Sequence, residues 1–231
     1  MQTIAIQRDT RFSPHSVEKD YDILAAVAQP LNAKIIAENN LKAHHLAEAN
    51  IILNMGRLPH TLQMIEKYAA QKCVVNPTNG IRNCQRSLIT KLMRNANIPI
   101  PPQEGNKGYW LKRGDEAAQS ENDIIYCANK KQLQQAKTAF SKRGITNTVV
   151  QAHVEGDLVK FYGVNNTHFF RYYYPTDDGI TKFADEQHNG TAHHFSFQWK
   201  ALEATANHIA TLANPPVYGG DAIVTAEGTF Y

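Results

Sequence analysis

Apolar positions in this chain follow two rhythms, and the alternation between them lays out a fold. Up to Asn76, short apolar runs alternate with segments whose apolar residues recur at helical spacing. The runs Thr3–Ile6, Ala33–Ala37, Ala49–Asn54 and Cys73–Asn76 are predicted strands. Between them Val17, Tyr21, Leu24, Ala25 and Ala28 line one face of a helix; Ser13-Pro14 is its predicted cap and first turn, and Pro30 its end. A further helix starts at Pro59 and carries Leu62, Ile65, Tyr68 and Ala69. Strands alternating with one-faced helices predict a parallel sheet with helices on its faces.

After Asn76 the rhythm changes. Residues 79–96 predict one helix, with Ile81, Cys84, Leu88 and Leu92 on its apolar stripe and Lys91 and Arg94 off it. Ile98-Pro99-Ile100-Pro101-Pro102 stops that helix and makes a stiff connector. A strand at Tyr109–Lys112, a polar loop from Arg113 to Asp123 and a strand at Ile124–Cys127 follow. The next helix is capped by Asn129, faces inward with Leu133, Ala136 and Phe140, and ends at Gly144. Thr148 to Gly163 then reads as strand, short turn, strand, with Glu155-Gly156-Asp157 at the bend. A strand at Thr167–Tyr174, an irregular segment over 175–196, a helix marked by Trp199, Leu202, Ala206, Ile209 and Leu212, and a hairpin from Val217 to Tyr231 complete the chain. The expected organisation is an N-terminal α/β domain over 1–76 and an α+β domain over 77–231, the latter divided into 77–147 and 148–231.

Composition narrows the function little. Hydrophobic content of 42% and charge of 19% describe an ordinary globular protein, and a net charge of +3 argues for neither a nucleic-acid nor a membrane surface. No apolar run reaches the roughly 18 residues of a membrane span, and the N-terminus lacks the pattern of a signal peptide. The cysteines, Cys73, Cys84 and Cys127, are odd in number and scattered, which predicts reduced, buried thiols and a cytoplasmic setting.

The candidate chemistry is therefore local. Parallel sheets bind ligands beyond the carboxyl ends of their strands, where Arg8 and Arg57 are candidates for an anionic substrate; they equally read as solvated loop arginines. Lys91, Lys112 and Lys160 form a trio of candidate phosphate contacts, each a mobile point charge. Asp157, at the bend, could accept hydrogen bonds from ribose hydroxyls. If Asn165-Asn166 is a two-residue turn, Lys160 falls directly opposite Arg171; two like charges so placed call for an anion between them. His188, His193 and His194 follow Asp185 and Glu186 without the spacing of a zinc site. Neither G-x-S-x-G, G-x-G-x-x-G nor a Walker lysine loop is present.

Taken in order, these features resemble the ATP-grasp superfamily of carboxylate–amine ligases, which includes D-alanine–D-alanine ligase, glutathione synthetase and the ligase that glutamylates a ribosomal protein. Lys91 before Ile98-Pro99 is similar to the family's helix lysine, and Lys112 to its strand lysine at the ATP phosphates. Gln151-Ala152-His153-Val154-Glu155-Gly156-Asp157 resembles its adenine hinge. The resemblance implies adenine against the Ala152 C=O and Val154 N–H, with Gln151 beside it, and ribose on Asp157. It also implies Lys160 and Arg171 at the transferred phosphoryl group and a magnesium-binding aspartate at Asp221. ATP and Mg2+ are the implied cofactors, and small-molecule or peptide carboxylates and amines the implied substrates. The chain departs from the family in its glycine-poor loop after Lys112 and in having Ala152 where an acid is usual. The family's second metal carboxylate and its asparagine are expected beyond Tyr231, in a longer parent protein. A kinase acting on a polyol hydroxyl and a nucleotide-binding module without turnover fit the same residues.

Overall fold

A computed structural model describes residues 1–14, 16–116, 118–177 and 188–231. The chain forms two compact units, Met1–Asn83 with Asn214–Pro216, and Cys84–Ala213 with Val217–Tyr231.

The first unit is built from β1 (Thr3–Gln7), α1 (Val17–Ala28), β2 (Lys34–Ala37), α2 (Ala43–Glu48), β3 (Ile51–Asn54), α3 (Pro59–Ala69), β4 (Cys73–Val75) and α4 (Thr78–Asn83). Its strands form a parallel sheet in the order β2-β1-β3-β4, as the alternating pattern predicts. Ile4, Ile6, Ile52 and Ile65 meet in one core layer, and Ala5, Leu24, Ala28 and Leu53 in another, so both faces of β1 are covered. That double burial explains why the strands read as continuous apolar runs. The Glu38 carboxylate, 1% exposed, accepts backbone N–H bonds from Asp9, Arg57 and Leu58, tying together the loops that follow β1, β2 and β3. α1 begins later than expected: its N-cap is Ser16, because Thr10–Phe12 form a separate 3-10 turn and Ser13 caps that instead.

The second unit comprises α5 (Arg86–Asn95), β5 (Tyr109–Arg113), β6 (Ile124–Cys127), α6 (Lys130–Lys142), β7 (Thr148–Ala152), β8 (Asp157–Val164), β9 (Phe170–Tyr173), α7 (Trp199–Ala213) and β10 (Val217–Val224). The helix expected over 79–96 is thus two helices, α4 and α5, interrupted at Cys84-Gln85. Asn129 caps α6 as predicted, accepting from the Gln132 N–H at 3.0 Å, and Gly144 follows the helix in the left-handed region. Among the cysteines only Cys127 is buried; Cys73, at the start of the outer strand β4, and Cys84, in the break between helices, are exposed.

Two antiparallel sheets, β6-β5-β7 and β10-β8-β9, form this unit. The strand-turn-strand stretch does not make a hairpin. β7 pairs with β5 and β8 with β9 and β10, so the chain changes sheets at 153–156 rather than at 147/148. Each sheet has one covered face. Leu133, Ala136 and Phe140 of α6 pack on Tyr109 and Leu111; Leu202 and Ala206 of α7 pack on Val159, Phe161 and Ala222. The opposite faces carry the polar residues. Phe140 is fully buried at the centre of the first packing, so Phe140→Ala should lower unfolding free energy by about 3–5 kcal/mol in a denaturant titration.

Candidate functional site

Strand alternation decides which side chains share the open faces. On β6-β5-β7 the row Tyr126–Trp110–Gln151 runs across the sheet, with Lys112 two residues further along β5. Lys112 Nζ donates to Gln151 Oε1 at 2.7 Å, and since an ammonium only donates, this bond fixes which end of the Gln151 amide is oxygen. The NH2 of Gln151 is therefore left as its donating end.

On β10-β8-β9 the row Asp221–Lys160–Tyr173 crosses the sheet, flanked by Gly219–Tyr162–Arg171. The expected cation pair is corrected here. Lys160 lies opposite Tyr173, and Arg171 opposite Tyr162, which makes the two cations diagonal neighbours on one face. The cause is the turn. Thr167 Oγ donates to the Val164 carbonyl and accepts from the Phe169 N–H, so the connection runs beyond Asn165-Asn166 and pairing begins at Gly163–Phe170. Lys160 faces an acid instead, with its Nζ 3.7 Å from Asp221 Oδ1; their side chains are 15% and 65% exposed. Arg171 is exposed, lies over the Phe169 ring and donates to the Phe170 carbonyl at 2.8 Å.

Asp157, expected to stand ready for a ribose, is instead 2% exposed on the covered side of β8. Its oxygens accept from the His193 N–H at 2.7 Å and the Phe195 N–H at 2.8 Å, so the carboxylate fastens the 193–195 segment to the sheet. Lys91 is exposed on α5. The cation of α5 that turns towards the sheets is Arg86, which sequence reasoning missed. Its Nη1 donates to the Arg113 carbonyl at the end of β5 at 2.6 Å. Burial holds the Arg86 guanidinium below its ordinary value, while the charges of Asp221 and Asp123 oppose that shift. Its main-chain partner is 27 residues away and leaves no mark on the sequence near it.

At the crossing between the sheets, the Ala152 N–H donates to the Pro102 carbonyl, the His153 N–H donates to the Gly108 carbonyl, and the Val154 carbonyl accepts from Asn189 Nδ2 at 3.2 Å. Gly156 packs directly on β10, since a β-carbon there would lie 2.3 Å from the Val224 carbonyl oxygen. A cavity of about 400 Å3 opens beside this crossing, lined by His153, Glu155, His188, Asn189, His193 and Phe195, among others. Trp110, Tyr126, His153 and His188 form an aromatic cluster, with Tyr126 and His188 ring centroids 4.3 Å apart. Asp185 and Glu186 lie outside the described residues. Among the described residues no group of three His, Cys, Asp or Glu side chains could hold a metal ion, and no helix is long and apolar enough to cross a membrane.

In the first unit, Arg8 is already engaged. Its Nε and Nη2 bind the two oxygens of Asp20 at 2.6 and 2.5 Å, and both partners are largely covered. A guanidinium held in this bidentate way joins the β1 loop to α1 and is a poor anion receptor. Arg57 is half-buried on the loop after β3, with its backbone N–H on Glu38.

No family model and no curated protein matches this chain. Solved structures do. D-alanine–D-alanine ligase from Bacillus anthracis is 9% identical, with all of this chain covering 84% of that one at a TM-score of 0.65. N5-carboxyaminoimidazole synthetase from Staphylococcus aureus, complexed with ADP, is 10% identical, with all of this chain covering 68% of that one at 0.64. A RimK domain ATP-grasp protein from Sphaerobacter thermophilus is 12% identical, with 98% of this chain covering 87% of that one at 0.56. The chain has the ATP-grasp fold: a parallel α/β unit followed by two antiparallel sheets, each backed by a helix.

The crossing gives a pH-dependent prediction. Trp110 Nε1–H donates to His153 Nδ1 at 3.1 Å, so the imidazole is neutral there, and burial followed by the charge of His188 holds His153 below the ordinary histidine value. With a depressed histidine value, the unfolded state binds the proton first as pH falls. The associated stability is present above about pH 6.5 and is lost below it. In a Trp199→Phe background, Trp110 fluorescence should titrate with a midpoint below about 6.5, and His153→Asn should remove that transition.

Proposed function

We propose that the second unit binds ATP on the open faces of its two antiparallel sheets and uses it to join a carboxylate to an amine. The observation that carries this reading is the pair of open faces themselves. One presents Lys112 and Gln151, the other Lys160, Asp221 and Arg171, and each sheet has its back filled by a helix. Neighbours of the same fold include a synthetase described as complexed with ADP and enzymes described as ligases, which supports the same use here.

In this reading the 151–154 crossing takes the base, with Gln151 offering its amide N–H, Ala152 its carbonyl and Val154 its N–H. Asp157 is left to its structural role. Lys112, Lys160 and Arg86 neutralise the phosphates, a contribution made by placement and charge rather than by covalent chemistry. Asp221 is a well exposed carboxylate on that face, and magnesium is commonly held by one or two carboxylates together with substrate phosphates, so the residue fits the ion. Bound there, Mg2+ would supply neutralisation of phosphate charge. A carboxylate oxygen of the substrate attacks the γ-phosphorus and ADP leaves. The amine then attacks the acyl carbon and inorganic phosphate leaves. Arg171 is placed to meet the negative charge of the acyl phosphate, and Arg57 remains a candidate anion contact of the first unit. In this reading the first unit, Met1–Asn83 with Asn214–Pro216, is the domain that precedes the ATP-grasp domain.

Lys112→Ala should weaken ATP binding at least about tenfold, roughly 1.4 kcal/mol, by calorimetry. Unchanged affinity would sink the assignment of this face. Arg86→Met should weaken ATP more than Lys91→Met does, which separates the half-buried cation of α5 from the exposed one. With candidate substrates, ADP release that needs both a carboxylate and an amine is the expected signature; release with a polyol alone would instead indicate phosphorylation of a hydroxyl.

A further inference from the structure

The open face of β10-β8-β9 carries more than charge. Moving along β8 away from the crossing, the next residue on that face after Lys160 is Tyr162, which is 49% exposed; Tyr173 of β9, opposite Lys160 and diagonal to Tyr162, is 43% exposed. Their rings are nearly parallel, 10° apart, with centroids at 6.2 Å. Gly219 lies directly opposite Tyr162 on β10, and a β-carbon there would come within 2.8 Å of the Tyr162 ring. Glycine thus leaves space for that ring to lie over β10. Arg171 completes the row on the other side. These rings do not serve the core, which is filled on the opposite face by Val159, Phe161, Phe170 and α7. Leaving two large aromatic rings half in water forgoes the stabilisation their burial would bring, and flat exposed rings beside cations suit a flat anionic ligand.

We propose that Tyr162 and Tyr173, with Arg171, seat the acceptor substrate, and that this acceptor is a carboxylate bearing a flat aromatic or heteroaromatic ring. The inference rests on the ATP reading for its direction. A base at 151–154 and phosphates at Lys160 and Asp221 place the group that receives the phosphoryl further along β8. Two residues of strand span about 7 Å, which brings Tyr162 next in line. Arg171 takes the carboxylate's charge, and the tyrosine rings take the flat portion. Burial, with the Tyr162 hydrogen bond next, pushes the Tyr173 phenol up to about 12, so it adds no negative charge beside a bound carboxylate.

The test uses the full chain and two probes of equal charge and chain length, 3-phenylpropanoate and 3-cyclohexylpropanoate, titrated by NMR with and without Mg2+ and a non-hydrolysable ATP analogue. The aromatic probe should bind at least about threefold tighter than the saturated one, within the range that ring stacking supplies. Tyr162→Leu should abolish the preference. Gly219→Ala, which displaces the Tyr162 ring without removing it, should reduce it. Equal binding of the two probes overturns the proposal, as does a preference that survives Tyr162→Leu. A loss in Tyr162→Leu that falls on the ATP analogue instead of the aromatic probe also overturns it, because the rings would then hold the nucleotide. Failure of the unaltered protein to bind the analogue refutes the ATP reading separately, while the preference in nucleotide-free protein still decides whether the rings seat a flat carboxylate.

Discussion

Asp157 is a charged group taken almost wholly out of water, and such a group is tolerated only when hydrogen bonds replace its hydration. The replacements are the backbone amides of His193 and Phe195. This arrangement fixes several things together. It sets where β8 begins, immediately after the change of sheet, and it draws in the segment whose histidines and Phe195 wall the cavity. It also places Phe195 against the core made by β8, β10 and α7. A residue that invites reading as a ligand contact is thus what lets the second sheet and its loop form one body.

The same sheet shows how register turns charge into function. With β9 shifted by two residues from the register a tight asparagine turn would impose, Lys160 lies between Asp221 and Tyr173 instead of facing Arg171. Repulsion between two cations is replaced by attraction between a largely covered ammonium and an exposed carboxylate. An exposed partner of this kind contributes little to stability, because water screens it. Asp221 is therefore free to interact with other cations at modest energetic cost.

Much of the fold was legible because it is local. Ile4, Ile52 and Ile65 fall into core positions by periodicity alone, and Asn129 caps α6 through a bond three residues long. Lys112, Gln151, Lys160 and Asp221, singled out from the sequence, all lie on the open faces, because strand alternation places them there. What could not be read depends on contacts between distant segments. Thr167 extends a turn that Asn165-Asn166 seemed to close. The partners of Asp157 are main-chain groups 36 and 38 residues on, with no side-chain signature. Arg86 differs from Lys91 only in which way its turn of helix faces, and the break at Cys84-Gln85 resets that phase.

The proline-rich connector has a consequence of its own. β7 is an outer strand of its sheet, and an outer strand exposes backbone groups to which another chain could add. Here the Ala152 N–H is already committed to the Pro102 carbonyl. Proline can accept such a bond but has no N–H with which to extend the ladder. Ile98–Pro102 is thus more than a stiff boundary: through Pro102 it occupies the outward-facing N–H at the end of β7, a position to which another strand would otherwise have to pair.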